Sequence, residues 1–413
     1  MPDYILREHY LDMLRGFRDR PVIKVITGMR RSGKSTVLEM FRDEIVSSGV
    51  PEENTVHLKL GDELESTISD HRELIDAVKE RFVPSGGKYI FLDEVQDVDG
   101  WERAVETFFE RGADVYITGS NSSMLSTELS TKLSGRHVEI GILPLSFREF
   151  LLFREHCGPD APLEEKFSEY MRWGGLPGTV LMSGSRRDLV AMLISGTYDT
   201  VFVKDVMQRR SIRNPSTVEN ISRFLMKNIG DRTSVRNALG HLVSKGVKAS
   251  AESIESYIGA LCDAKLFRRA RRRDSKTKEY LRTSDKFYAN DLGMRNVAIG
   301  YDDRDIDGIL ENMVYMELLY RYGNACVMNV DGKEVDFVSY DSNWDPMYFQ
   351  VSVSVVDPAT MRRELAPLKA LDDNYPKSVI TLDVEHEQWE LCQALGGCFA
   401  DIVEGTYKIN LLE

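Results

Sequence analysis

The sequence predicts an α/β protein whose first 150 residues form a doubly wound parallel sheet. Three observations predict it. Short apolar or β-branched runs at 22–27, 55–60, 88–95, 114–120 and 137–143 alternate with stretches of helical spacing. That is the order of a parallel sheet with helices on both faces. The first run passes through a glycine-rich loop into an amphipathic helix carrying Val37, Leu38, Phe41 and Ile45. The third ends in two adjacent carboxylates, Asp93 and Glu94, at the edge where open parallel sheets bind ligands.

The glycine-rich loop is Gly28-Met29-Arg30-Arg31-Ser32-Gly33-Lys34-Ser35, which fits G-x-x-x-x-G-K-[ST]. Its glycines let the backbone turn tightly, so that consecutive N–H groups point at phosphate oxygens. The helix that follows presents its positive end to the same anion. The candidate nucleotide-binding residues are therefore Gly28, Arg30, Arg31, Ser32, Gly33, Lys34, Ser35 and Thr36. Lys34 reaches the β- and γ-phosphates, and the Ser35 hydroxyl is a ligand for Mg²⁺. In "KYIFLDEV", Asp93 is the second candidate metal ligand, through water, and Glu94 orients and activates the attacking water. Gln96 positions that water or the following helix. The 114–120 strand ends in Ser120-Asn121, polar groups suited to the γ-phosphate or the water, though a chance polar loop reads alike. A helix over 122–134 then leads to Gly135-Arg136.

A chain of 413 residues exceeds one ordinary core, so two or three domains are expected at about 150 residues each. Its apolar and charged fractions, 42% and 29%, are those of a soluble globular protein. No apolar run approaches the ~18 residues of a membrane helix, and "MPDYILREHY" is no signal peptide. Five cysteines, odd in number and without a CxxC pair, predict reduced thiols in a cytoplasmic protein. A net charge of −13 argues against global attraction to nucleic acid or an anionic membrane, so such binding needs a local patch.

Residues 151–210 read as a helical lid or linker, broken by "WGGLP" at 173–177. Residues 211–295 show three helical faces (Val218/Ile221/Leu225, Val235/Leu239/Leu242, Ile254/Ile258/Leu261). Two strand-like pieces follow, "LFRRARRR" and "EYLRTS", turning over 274–278. Three helices and a ribbon predict a winged helix-turn-helix. The ribbon carries Arg268, Arg269, Arg271, Arg272, Arg273, Lys276 and Lys278, suited to non-specific phosphate contacts. The third helix carries Glu252, Glu255 and Asp263, which a duplex repels. A DNA-binding wing and a structural or protein-docking module both fit.

The stretches "ITGMRRSGKST", "YIFLDEVQDVDGWERAVETF", "VYITGSNSSML", "LSGRHVEIGILPLSFREFL", "GGLP", "GKEVDFV" and "QVSVSVVDPATMRRELAPL" together resemble an AAA+-type P-loop ATPase. More narrowly, the chain is similar to prokaryotic members that couple this core to a C-terminal domain of unknown function with a restriction-endonuclease-like layout. The resemblance implies adenine as the base. It also puts Arg136 where an arginine finger would reach a neighbouring subunit's site, which requires a homo-oligomer. A structural arginine at a helix end is the alternative. For residues 296–413 it implies a degenerate nuclease fold. Asp336 and Glu311 supply carboxylates, but Gln350-Val351-Ser352 stands where an active site needs a carboxylate and a lysine.

The expected function is Mg-ATP binding and hydrolysis driving a conformational switch on an unknown client. The alternatives are a protein-interaction switch with little turnover and a DNA-acting ATPase using the basic ribbon.

Overall fold

The computed structural model describes residues 4–383 apart from 62–66, 82–87, 120–132, 134, 158–160, 183, 185, 209–211, 213 and 282–283. The helix expected over 122–134, apart from Leu133, lies outside the described residues, as do Ser120 and Asn121.

The N-terminal unit runs α1 (Glu8–Phe17), β1 (Ile23–Gly28), α2 (Lys34–Ser47), β2 (Thr55–Lys59), α3 (His71–Arg81), β3 (Tyr89–Asp93), α4 (Trp101–Glu110), β4 (Asp114–Gly119) and β5 (His137–Ile142). The five strands form one wholly parallel sheet in the order β2-β3-β4-β1-β5. Alternate residues of each strand face opposite layers. Val25, Ile90, Leu92, Val115 and Ile117 pack with Leu74, Val78, Val105 and Phe108 of α3 and α4. Ile26, Phe91, Tyr116 and Ile140 pack with Leu11 and Leu14 of α1 and with Val37, Leu38 and Phe41 of α2. The order centres β4, which lies between β1 and the strand that ends in Asp93.

Helices follow: α5 (Phe147–Cys157), α6 (Leu163–Trp173), α7 (Pro177–Val180) and α8 (Arg187–Thr200), which continues as wide π-helical turns over Val201–Gln208. Then come α9 (Pro215–Lys227), β6 (Arg232–Thr233), α10 (Val235–Ser244), α11 (Ala251–Asp263), β7 (Phe267–Ala270), β8 (Arg272–Asp274) and β9 (Asp285–Ala289). Asn214, Ser234 and Ser250 cap α9, α10 and α11 by accepting backbone N–H bonds. The strands β6, β9 and β7 form a small antiparallel sheet in that order.

The basic stretch is not one free ribbon. The turn at 274–278 closes, Lys278 N donating to Asp274 O at 3.0 Å. Among its described residues, however, the returning arm makes a single bridge, Arg273 to Tyr280. The other edge of β8 pairs in parallel with β10 (Cys326–Val330), so the run crosses from the small sheet into the C-terminal one. Arg272 is buried at that crossing, which ties β8 to the larger sheet.

The chain ends in α12 (Leu292–Ile299), α13 (Ile306–Tyr322), β10, β11 (Lys333–Tyr340), β12 (Pro346–Val351), α14 (Pro358–Lys369) and β13 (Lys377–Ile380). Its sheet runs β13-β12-β11-β10-β8.

Candidate functional site

The loop after β1 is shaped by its glycines. A Cβ on Gly28 would stand 2.4 Å from the Ile142 carbonyl oxygen, so only glycine passes beside β5. Ser32 N donates to Met29 O at 3.2 Å, and Gly33 sits at φ 94 as the N-cap of α2. No side chain caps that helix, so its first amides are left for an anion. Lys34 is 4% exposed; its Nζ donates to Met29 O at 3.2 Å and lies 3.7 Å from Glu94 Oε1. Burial lowers the Lys34 pKa below the ordinary lysine value, opposed by the Glu94 and Asp93 carboxylates. Ser35 Oγ donates to Asp93 Oδ1 at 2.9 Å. From β4, Thr118 Oγ1 donates to the same oxygen and accepts from Glu94 N at 2.9 Å. Glu94 is held at φ 56, and Gln96 Nε2 donates to its Oε2. An ammonium, a hydroxyl and two carboxylates thus meet beside an uncapped helix start. The Ser35–Asp93 pair is an all-oxygen donor set of the kind Mg²⁺ takes.

A protein-family model, described as an AAA domain, matches residues 20–151, and one for a domain of unknown function matches 164–305. An uncharacterized protein of Haemophilus influenzae is 34% identical over 91% of this chain and 93% of its own length. Another, of Methanocaldococcus jannaschii, is 30% identical over 78% of this chain and 73% of its own. Among solved structures, the Walker-type ATPase PABY2304 of Pyrococcus abyssi shares the fold. It does so with a TM-score of 0.51 at 15% identity, over 72% of this chain and 96% of that one. The chain belongs to the AAA+-type P-loop ATPases.

Within this AAA+ protein the remaining predicted residues fall in different places. Thr36 lies in the first turn of α2. The side chains of Arg30 and Arg31 turn to the helical segment: Arg30 Nε donates to Asp205 Oδ2 at 2.7 Å, and Arg31 Nη1 to Thr197 Oγ1 at 3.0 Å. Arg136 is exposed, with its guanidinium 6.0 Å from the Phe109 ring centroid. Its carbonyl accepts from Ile23 N, at the far end of β1 from the P-loop. Six strand residues separate it from its own site by about 20 Å, beyond the reach of its side chain.

One residue had no sequence signal. Arg7, just before α1 and 2% exposed, donates from Nη1 to Ser32 O at 2.8 Å and from Nη2 to Leu143 O at 3.0 Å. Glu149 holds it by two further bonds, to Nε at 2.9 Å and Nη2 at 2.8 Å. Glu149 itself did carry a signal. Ser146-Phe147-Arg148-Glu149 is a capping box, with Ser146 N donating to Glu149 Oε2 at 3.0 Å and Glu149 N to Ser146 Oγ at 3.2 Å.

The C-terminal carboxylates meet a lysine from elsewhere. Lys286 Nζ, on β9, lies 2.8 Å from Glu311 Oε1, 3.0 Å from Glu334 Oε1 and 3.7 Å from Asp336 Oδ1. Arg232 and Arg272 close on Glu334 at 2.7 and 3.3 Å. Tyr288 OH donates to Glu311 Oε1 at 2.6 Å, and Gln350 Nε2 to Glu364 Oε2 at 2.9 Å. Burial, then Glu311, pushes the Asp336 carboxyl up to about 7 against the pull of Lys286. Among the described residues no group of three or more His, Cys, Asp or Glu is arranged to hold a metal ion. Lysine does stand among these acids, but as an ion-pair partner.

The basic run is largely spent on internal bonds. Arg268 Nε donates to Asn290 Oδ1 at 2.9 Å, and Arg269 pairs with Asp285 at 2.6 Å and Glu255 at 2.8 Å. Arg272 joins Glu334, Arg273 bonds Lys278 O and Tyr340 OH, and Lys276 pairs with Asp331. Arg271 is exposed, over the Tyr280 ring. No described helix is long and apolar enough to cross a membrane.

Proposed function

We propose that this AAA+ protein binds Mg-ATP at the P-loop and hydrolyses it, and that the nucleotide state moves the core against the modules after residue 150. The observation that carries the reading is the meeting of Lys34, Ser35, Asp93 and Glu94 beside the uncapped start of α2. Lys34, Ser35 and the amides of the loop hold the triphosphate. Mg²⁺, held at Ser35 and Asp93, would neutralise phosphate charge. Glu94 takes the proton of the attacking water once phosphate draws Lys34 away from it, and Gln96 keeps its carboxylate in place. Ser120, Asn121 and a neighbour's Arg136 complete the site in this reading.

The division of the chain follows: a core over 1–150, a helical lid over 151–210, a winged helix over 211–295 and a degenerate nuclease-like domain over 296–413. Three capped helices with a three-stranded antiparallel sheet support the third assignment. Acids set around Lys286 on a mixed sheet support the fourth. Because four of the five ribbon arginines are engaged internally, a protein client fits the surface better than DNA. A cytoplasmic place suits the free cysteines at 157, 262 and 326.

The test is steady-state ATP hydrolysis by wild type, Lys34→Ala and Glu94→Gln, with and without duplex DNA. Turnover lost in both variants and indifferent to DNA is expected. Unchanged turnover in the variants would refute the site, and strong stimulation by DNA would refute the choice of client.

A further inference from the structure

The loop residue Arg30 is tied to a buried carboxylate outside the ATPase core. Its Nε donates to Asp205 Oδ2 at 2.7 Å, and the Asp205 side chain is wholly buried while that of Arg30 remains 25% exposed. Among the described residues Arg30 makes no other hydrogen bond or ion pair, so both Nη groups stay available. A guanidinium anchored through Nε can still offer two N–H donors in a plane to phosphate oxygens. Asp205 sits in the π-helical turns of Val201–Gln208, which bury Val201 and Val206 in the core shared by α8, α9 and α11. Wide turns of this kind recur at functional sites. Arg30 and Asp205 both act on the Lys34 ammonium, the first lowering its pKa and the second raising it. The pair therefore lies within electrostatic reach of the group that meets the β- and γ-phosphates.

We propose that Asp205 positions Arg30 to bind the terminal phosphate of a nucleoside triphosphate, so that this phosphate is sensed by the helix of residues 187–208. The proposal rests on the nucleotide reading above and adds to it a residue outside the P-loop motif. Without a terminal phosphate, the Arg30 guanidinium is anchored at Asp205. With one, the guanidinium bridges phosphate and carboxylate and ties the core to the helix. Two features argue for a bridge over a simple structural pair. The arginine is used through Nε only, and a buried carboxylate with a purely structural partner is better served by a fork of two N–H groups, as Glu149 is by Arg7. The adjacent Arg31–Thr197 bond brings the same helix to the same loop, so movement at either arginine is transmitted to it.

Calorimetric titrations with Mg-ADP and with Mg-AMP-PNP test this on full-length wild type, Asp205→Asn, Arg30→Ala, the double variant and Lys34→Ala. Asp205→Asn keeps the volume and removes the charge. Each single variant is expected to lose about tenfold in affinity for AMP-PNP, the worth of one charge-assisted bond. Affinity for ADP should stay within about threefold. The double variant should be no worse than Arg30→Ala, because Asp205 acts through Arg30. Hydrogen exchange over 187–208 should slow with AMP-PNP more than with ADP in wild type, and equally with both in Asp205→Asn. Equal losses for the two nucleotides, unchanged AMP-PNP affinity or additive losses in the double variant would overturn the proposal while wild type still binds better than Lys34→Ala. Wild type that binds neither nucleotide would overturn the nucleotide reading as well.

Discussion

Arg7 offers a perturbation that separates folding from nucleotide binding. It and Glu149 are 2% and 4% exposed, and each holds the other by two bonds. Removing the guanidinium in Arg7→Met leaves Glu149 buried with the Ser146 N–H as its remaining partner at that end of α5. Breaking a buried pair by deleting one partner costs about 3–5 kcal/mol. Arg7→Met/Glu149→Leu removes both charges and should recover most of that loss. It cannot recover the bond from Nη1 to Ser32 O, which braces the turn before Gly33. That bond, worth about 1.5–3 kcal/mol as a charge-assisted one, should appear as a nucleotide affinity at least about tenfold weaker. Urea unfolding followed by tryptophan fluorescence reads stability, and titration with a fluorescent ATP analogue reads the loop. The reasoning fails if the double variant binds nucleotide like wild type, or if Arg7→Met shifts stability by less than about 1 kcal/mol.

Four further outcomes are expected. Lys286→Met strips the ammonium from Glu311, Glu334 and Asp336 and should destabilise the protein by about 3–5 kcal/mol in urea unfolding. In wild type, Asp336 binds its proton more tightly folded, at about 7, than unfolded, at about 3.9. Its contribution is therefore full below about pH 4 and is lost as pH rises through about 7. Asp336→Asn should flatten that slope in urea midpoints taken across the window. Lys34, depressed by burial in the free protein, must be charged to meet phosphate, so nucleotide affinity should fall at a pH below the ordinary lysine range. Titrations up to about pH 10 check this, and a flat profile counts against Lys34 as the phosphate ligand. Gly293→Ala would place a Cβ 2.1 Å from the Trp173 carbonyl oxygen. It should cost more than about 2 kcal/mol, read by thermal unfolding, where an ordinary surface substitution stays near 0.5.

The parallel sheet was legible because buried strands write themselves as continuous apolar runs. The expected 22–27 and 114–120 appear as 23–28 and 114–119. The P-loop was legible because phosphate binding dictates residue types at fixed spacing. What escaped depends on partners far apart in sequence. Nothing near Arg7 marks it as the brace of Ser32, and nothing near Lys286 announces three carboxylates. The basic ribbon misled for the same reason. Charge density in "RRARRR" is local, whereas the identity of its partners is not: Arg269 meets Asp285 and Glu255, Arg272 meets Glu334, and β8 meets β10.

The four variable positions of G-x-x-x-x-G-K-S explain how such a core addresses the rest of its chain. Phosphate chemistry fixes the glycines, the lysine and the serine, and needs only backbone amides from the residues between. Their remaining groups are free for other contacts, and in this protein every one of the four makes them. Met29 is fully buried among Leu176, Val190 and Ile194, and its sulfur accepts from Asn290 Nδ2 at 3.9 Å. Arg30 takes Asp205, Arg31 takes Thr197, and the Ser32 carbonyl takes Arg7. Asn290 in turn accepts from Arg268 on the small sheet, and Asp291 beside it accepts from Gly175 N in "WGGLP". A shift of the loop by a few tenths of an ångström would thus meet packed partners in the helical segment and the small sheet, and close-packed partners transmit displacement where loose ones absorb it. The glycines at 174 and 293, where a Cβ would strike Asp291 and the Trp173 carbonyl, keep that joint tight enough to do so.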